Sequence, residues 1–329
     1  MQLNVEYTHI FLYHIIFVTK IYRKCLKTSI ISKAVYCSMI MAGGVLEKYF
    51  NQYTLNSKKV NKQVLFKILN RNKKCKYGKE YNFTSIKSID EYKDKVPITN
   101  YASYEKYIEE MLRGEKNILV AEDVEYFGHT SGTTGKQKLV PVTKKSRKVG
   151  SKYMALLLEK FAYNNFKEQW NYGRGLMLAD TVMTTYSEGG VPICSATSGG
   201  MDAIKPILPK IYTSPYEVMK IKDKNAALYL HLLFALKDKN LTYISGVFIS
   251  NVLDALRTLE DNAELLVRDI RRGSINRNLN IDGETRKKLN KCLKPNAGRA
   301  DEIELEFSKG FEGICRRIWP KLIYIASVT

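Results

Sequence analysis

The sequence has 329 residues, 45% of them hydrophobic and 26% charged, with a formal net charge of +20 at pH 7. This balance excludes a disordered or fibrous chain, and the length suffices for one large α/β domain or two ordinary ones. Basic residues are interleaved with acidic ones, as in Lys106–Glu110 and Arg268–Arg272, and there is no RNA-binding signature or basic arm. The charge therefore reads as a solvated surface, and no specific nucleic-acid partner is expected. The six cysteines (Cys25, Cys37, Cys75, Cys194, Cys292 and Cys315) form no C-x-x-C pair. That spacing points away from a disulfide framework or zinc knuckle and towards a reducing cytoplasm.

In chain order, the first feature is the apolar run His9–Val18, followed by Lys20, Arg23 and Lys24. It is shorter than the roughly 20 residues of a membrane span, and its charges follow the run rather than precede it, unlike a secretory signal. No membrane span is expected. Residues 1–40 are set apart as an N-terminal extension arising from a start codon assigned too far upstream, with the folded domain over 41–329.

Apolar spacing predicts helices over Leu46–Tyr53 and Lys59–Leu69, with a turn at Lys76–Lys79. Ser88-x-x-Glu91 is a capping box for a short helix ending near Pro97, and a helix over Tyr101–Leu112 closes at Gly114. Ile118–Phe127 reads as a strand, and Thr143 caps a long helix through about Phe161. Leu176–Met183 is predicted as a strand and Ser187–Met201, rich in Gly and Ser, as a binding loop. A helix over Asn225–Leu236, a strand over Thr242–Ile249, a helix over Val252–Arg271 and a buried strand over Lys321–Val328 complete the pattern. Alternation of this kind predicts an α/β fold with a largely parallel sheet. A core strand immediately before Thr329 makes the sequence read as cut.

Residues 128–141 read Gly128-His129-Thr130-Ser131-Gly132-Thr133-Thr134-Gly135-Lys136-Gln137-Lys138-Leu139-Val140-Pro141. Gly132 and Gly135 allow a tight turn and a close backbone approach to a ligand. Successive N–H groups in such a turn form an anion-binding nest, to which four hydroxyls and two lysines add donors and charge. A Walker A loop is excluded, because G-x-x-x-x-G-K-[ST] requires Gly where Thr130 stands and Ser or Thr where Gln137 stands. With histidine only at positions 9, 14, 129 and 231, no Ser/His/Asp arrangement suggests itself. His231, amid leucines, reads as a satisfied core histidine, and His129 as a packing or hydrogen-bonding residue.

The segment Thr130–Lys138 resembles [ST]-S-G-T-T-G-x-x-K, the phosphate loop of the adenylate-forming superfamily of acyl-CoA synthetases, luciferases and peptide-synthetase adenylation domains. Its surroundings are similar to the auxin-responsive acyl acid–amido synthetases, the Gretchen Hagen family. The similarity rests on Tyr77-Gly78-Lys79, Lys95-Val96-Pro97-Ile98, Gly189-Gly190-Val191-Pro192, Ser198-Gly199-Gly200, His231-Leu232-Leu233-Phe234 and Ile318-Trp319-Pro320. It runs from about Leu46 to the end.

The resemblance implies the large N-terminal domain of an adenylate-forming enzyme, with mixed, mainly parallel sheets and flanking helices. It implies a carboxylate attacking ATP in the presence of Mg²⁺ to give an acyl-adenylate, then amide formation with an amine or amino acid. Thr130, Ser131, Gly132, Thr133, Thr134 and Gly135 would hold the phosphates, and Lys138 would supply catalytic charge. Gly189, Gly190, Ser198 and Gly199 would wall the acid pocket. The base and ribose motifs and the mobile C-terminal domain of that family would lie beyond Thr329, so 41–329 reads as an incomplete adenylating domain. Alternatives are a fragment of an acyl-CoA-forming ligase and a non-catalytic basic remnant that binds nucleic acid.

Overall fold

Two sheets organise the chain, one in each of two units distinguished by their internal packing. The computed structural model describes residues 28–130 and 137–328; the run His9–Val18 and loop residues 131–136 lie outside the described residues. The strands in chain order are β1 Val124–His129, β2 Leu139–Thr143, β3 Gly175–Leu178, β4 Met183–Tyr186, β5 Pro192–Ser195, β6 Tyr243–Phe248 and β7 Tyr324–Val328.

One unit comprises residues 43–158 and 183–200. Its sheet has the order β2-β1-β5-β4, with β1 antiparallel to β2 and parallel to β5, and β5 antiparallel to β4. Pro141 lies in β2, which no strand prediction covered. The strand tolerates it because β2 is at the sheet edge, where a missing N–H leaves no ladder bond unmade. Tyr107, Ile108 and Met111 of the helix Ala102–Leu112 pack with Ile118 and Phe127 in one core cluster. A second cluster gathers Leu69, Phe83, Ile86 and Val96. Tyr77 links them, its ring meeting those of Tyr81, Phe83, Tyr104 and Tyr107 at centroid distances of 4.6–5.9 Å.

Local chemistry moves several predicted boundaries. Lys76–Lys79 is part of a short helix, Lys76–Glu80, not a bare turn. Its first N–H groups, on Lys76 and Tyr77, donate to the carbonyls of Asn117 and Ile118 at 2.7 and 3.1 Å. Those carbonyls are thereby withdrawn from any ladder, so the strand predicted from Ile118 begins only at Val124. Ser88 caps the helix Ile89–Lys95 through the Glu91 N–H, but the Glu91 carboxylate reaches back to the N–H of Lys87, one residue before the box position. Thr143 and Ser146 form a full capping box, and the helix it opens continues through a π-helical turn at Lys152–Leu157 into Leu158–Asn165.

The other unit comprises, among the described residues, 28–42, 159–182 and 201–328 and carries the parallel sheet β3-β6-β7. The strand predicted over Leu176–Met183 divides into β3 and β4, which join different sheets. Between them the Thr181 N–H donates to the Met219 carbonyl and the Asp180 carboxylate accepts from Val182. The helix predicted over Val252–Arg271 is two helices, Ile249–Asp261 and Ala263–Arg272, broken at Asn262. The strand β7 lies at the sheet edge with Ile325 and Val328 exposed, rather than buried as its composition suggested.

The helix Lys224–Leu236 is apolar on every face and is buried continuously from Tyr229 to Leu236. Its last carbonyls, which have no intrahelical partner, are met by side chains. The indole of Trp319 donates to Ala235 at 3.1 Å, and Arg299 donates to Leu236 at 2.8 Å and to Ile318 at 2.6 Å. Asp269, itself buried, accepts from the Tyr229 hydroxyl and the Asn276 N–H.

A helix over Thr28–Leu55 runs through residue 40, so a boundary there cuts an element. Val35 and Tyr36 lie in the core, with the Tyr36 hydroxyl donating to the Ile211 carbonyl. Among the described residues Ile30–Leu55 is long and apolar enough to cross a membrane by length and composition, with Val35 and Tyr36 buried and Met41, Val45, Phe50 and Leu55 exposed.

Glu159 stands in this unit with one carboxylate oxygen buried and unpartnered. The phenols of Tyr36, Tyr212, Tyr243 and Tyr324 are close enough to feel its charge. Burial raises its pKa from 4.5 to about 7. A raised folded-state value favours the protonated form, so this stabilisation is complete below about pH 4.5 and is lost as pH rises through about 7. Urea unfolding should therefore show stability declining from about pH 5 to about pH 8 by roughly 2–3 kcal/mol. Glu159→Gln, neutral throughout, should remove that component of the slope.

Candidate functional site

The Thr130–Lys138 segment connects β1 and β2, which pair as an antiparallel hairpin. Its legs pair as Gly128 with Val140 and His129 with Leu139, and the Thr130 N–H donates to the Lys138 carbonyl at 3.1 Å. Thr130 and Lys138 are thus fixed as the two ends of the loop, both exposed. Ser131, Gly132, Thr133, Thr134 and Gly135 lie outside the described residues.

Tyr101 secures the second leg, a role that periodicity within its helix gave no sign of. Its hydroxyl donates to the Leu139 carbonyl at 3.1 Å and accepts from the Leu139 N–H at 2.8 Å. Both backbone groups of Leu139, at the outer side of the edge strand, are satisfied by one phenol. The Lys138 ammonium lies 5.7 Å from the centroid of the same ring, a cation–π distance. On the other side of the hairpin, Arg147 makes two bonds to the Glu125 carboxylate, at 2.5 and 3.1 Å, fixing the helix after β2 to β1. The bonded guanidinium holds the Glu125 carboxyl below its usual range. The Glu125–Arg147 spacing across a loop is not a recognisable sequence signal.

Parallel pairing of β1 with β5 (Gly128 with Cys194, His129 with Ser195) brings the carboxyl ends of both strands to one edge of the sheet. Ser198 and Gly199, in the helix Ala196–Asp202 that follows β5, therefore lie at the edge from which the Thr130–Lys138 segment leaves β1. Gly189 and Gly190 do not. They form the turn before β5, at the opposite edge, where the Gly189 N–H donates to Leu112 at 2.8 Å. The helix Ala102–Leu112 spans the same distance: Tyr101 meets Leu139 at one edge and Leu112 meets Gly189 at the other. Eleven helical residues rise about 16 Å and six strand residues about 20 Å, which agree. The single loop expected over Ser187–Met201 is thus a turn, a strand and a helix, because Ile193 and Cys194 pair on both sides.

Packing accounts for three of these four residues. A Cβ on Gly199 would lie 2.5 Å from the ring of Tyr126, whose hydroxyl donates to the Ala196 carbonyl. A Cβ on Gly189 would lie 2.5 Å from Gly114 Cα. Ser198 is fully buried, and its hydroxyl lies 2.7 Å from that of Ser195, which caps the helix by accepting the Ser198 N–H. Gly190 is exposed with φ +76°, a left-handed turn position.

His129 Nε2 is 3.5 Å from the Thr184 hydroxyl. His231 is a satisfied core histidine: Nδ1 lies 2.7 Å from the Ser214 hydroxyl, and burial lowers its pKa to about 4, leaving it neutral. Among the described residues, no three His, Cys, Asp or Glu side chains converge as a metal-binding group.

One mixed and one parallel sheet flanked by helices, with a Ser/Thr/Gly-rich segment at the carboxyl end of a central strand, give the chain an α/β fold, and it matches the adenylate-forming fold of solved acyl acid amido synthetases. Among solved structures, a GH3.15 acyl acid amido synthetase matches with a TM-score of 0.75 at 24% identity, over 85% of this chain and 50% of that one. The chain belongs to the GH3 family: the model of the GH3 family N-terminal domain matches residues 46–329. Indole-3-acetic acid-amido synthetase GH3.17 of Arabidopsis thaliana is 29% identical over 289 residues, 84% of this chain and 47% of its own. Jasmonoyl–L-amino acid synthetase JAR6 of Nicotiana attenuata is 27% identical over 289 residues, 85% of this chain and 49% of its own. The chain thus spans about half the length of the curated relatives it matches.

Tyr101→Phe removes both bonds to Leu139 while keeping the ring beneath Lys138. Hydrogen exchange at the Leu139 amide should accelerate by about tenfold, the equivalent of one lost hydrogen bond of about 1–1.5 kcal/mol. Unchanged exchange would mean that Tyr101 does not hold the leg.

Proposed function

We propose that this chain supplies the phosphate-holding, acid-activating part of an acid–amido synthetase. The observation that carries this is the placement of the Thr130–Lys138 segment, closed by the Thr130–Lys138 backbone bond, at the carboxyl ends of the parallel pair β1 and β5. Ligands of α/β sheets bind outside the carboxyl ends of strands. Family membership and relatives named as amido synthetases of indole-3-acetic acid and jasmonic acid support the reading.

In this reading a small carboxylic acid attacks the α-phosphorus of ATP, and pyrophosphate leaves. An amine or amino acid then attacks the acyl carbon, losing a proton as AMP departs. Neither step needs a side-chain nucleophile; both need placement and charge neutralisation. The backbone N–H groups of 131–135, with the hydroxyls of Thr130, Ser131, Thr133 and Thr134, would hold phosphate oxygens, and Lys138 would offset their charge. The cation–π contact with Tyr101 would keep that ammonium at the loop's end. Ser198 and Gly199 border the same edge and would support the acid side; Gly189 and Gly190 would shape the remote turn. The described residues offer no cage of three or more His, Cys, Asp or Glu ligands for a metal. Mg²⁺, which neutralises nucleotide phosphates and usually binds through them, would enter with ATP. Free thiols at Cys37, Cys75, Cys194, Cys292 and Cys315 support residence in a reducing compartment, as in cytoplasm.

Calorimetric titration of the chain with MgATP tests the reading. Ser131→Ala and Lys138→Ala should each weaken binding by about tenfold, the value of one charge-assisted hydrogen bond. Equal affinity in both variants and the parent would remove the loop from the site.

A further inference from the structure

The unit built on β3, β6 and β7 contains an open cavity of about 900 Å³. Its walls include Asn171–Arg174 before β3, Asn240 before β6 and Lys321 before β7, so it lies at the amino ends of three parallel strands. The fold's ordinary ligand edge is at the carboxyl ends, and acid activation makes no use of this cavity.

Its lining is selective in charge. Lys33, Arg174, Lys237 and Lys321 face Glu217 and Asp238, and Asp238 is already neutralised by Arg174 at 2.9 Å. Lys237 is half-buried, with its ammonium donating to the Cys292 carbonyl at 3.3 Å. The Lys33 ammonium lies 5.3 Å from the centroid of the Tyr172 ring. Tyr172 itself has φ +58°, a left-handed conformation uncommon for a non-glycine residue. Asn171 holds it there, its side-chain oxygen accepting from the Gly173 N–H and the Thr242 hydroxyl at 2.8 and 2.6 Å. The Ser32 hydroxyl, in the same wall, is buried with no hydrogen-bond partner. An orphaned buried hydroxyl in a wall that also carries Lys33, Lys237 and Lys321 is free to donate to a bound acceptor. Ile30, Phe234 and Pro215 supply apolar surface alongside.

We propose that this cavity binds a small organic phosphate: the phosphate accepts from Ser32 and lies between Lys33 and Lys237, and an apolar or aromatic body rests against Tyr172 and Phe234. Lysines are point charges suited to a phosphate, whereas a planar carboxylate is matched best by an unpaired arginine fork, and Arg174 is already engaged.

Phenyl phosphate is the probe, titrated calorimetrically into the full chain, into Ser32→Ala, into Lys237→Gln, and into the doubly substituted Ser131→Ala/Lys138→Ala. The double variant disables the phosphate loop and should leave phenyl phosphate binding unchanged. Lys237→Gln should weaken it by about tenfold and Ser32→Ala by about fivefold. Ser32→Ala should keep the parent urea midpoint, since the hydroxyl has no partner to lose. No binding at millimolar phenyl phosphate, equal affinity in Ser32→Ala and Lys237→Gln, or loss of binding in the loop variant would each overturn the proposal. A failure here leaves the assignment of ATP to the β1–β2 loop untouched, because that assignment rests on different variants and a different ligand.

Discussion

β1 is paired on both sides at once, and the candidate site depends on that constraint. From Phe127 to His129 each residue faces β2 on one flank and β5 on the other. The antiparallel partner turns the chain back as a hairpin, so Thr130 and Lys138 meet across the loop. The parallel partner puts the end of β5, with Ser195 and the helix after it, at the same edge. Gly128 in the middle has neighbours on both sides, and a Cβ added there would meet Val142 and Ala196 at 3.6–3.7 Å, ordinary van der Waals contact. Tyr101 and the Glu125–Arg147 pair then fix the two flanks of the hairpin to neighbouring helices.

In the other unit the governing problem is different: a helix without a polar face must end inside the protein. Arg299 and Trp319, from segments more than 60 residues away in sequence, supply donors to its last carbonyls. Burying a guanidinium this way is tolerable because its bonds to Leu236, Ile318 and Glu302 satisfy it. Glu159 is the opposite case, a carboxylate oxygen buried without a partner, and its neutral form relieves the cost.

Much of this was legible in the sequence. The helix Lys224–Leu236, the strand β6 and the Thr143 cap follow from apolar patterning and capping chemistry, which are local. The hydroxyl- and glycine-rich loop announced itself by composition and by resemblance to a known signature. What stayed hidden was set by partners remote in sequence. Residues 118–123 read as part of a strand, yet the carbonyls of Asn117 and Ile118 at its start serve the helix at Lys76. Ser187–Met201 read as a loop because Gly and Ser dominate it, while Cys194, fully buried between β1 and β4, makes part of it a strand. Gly189 and Gly199 looked alike as candidates, but register separates them to opposite edges, and no single-sequence pattern reports register. Residues 1–40 read as an extension because a regular amphipathic pattern begins only near Met41, whereas Val35 and Tyr36 within them are core residues.

The most direct measurement is a ¹⁵N-resolved NMR titration of the chain with MgATP, following backbone amides through the β1–β2 hairpin. The account predicts that the amides of Thr130 to Lys138 shift first and saturate together, with Ser195 to Gly199 following along the same edge and Gly189 and Gly190 unmoved. Saturable shifts confined to other segments, with 130–138 unchanged, would contradict it.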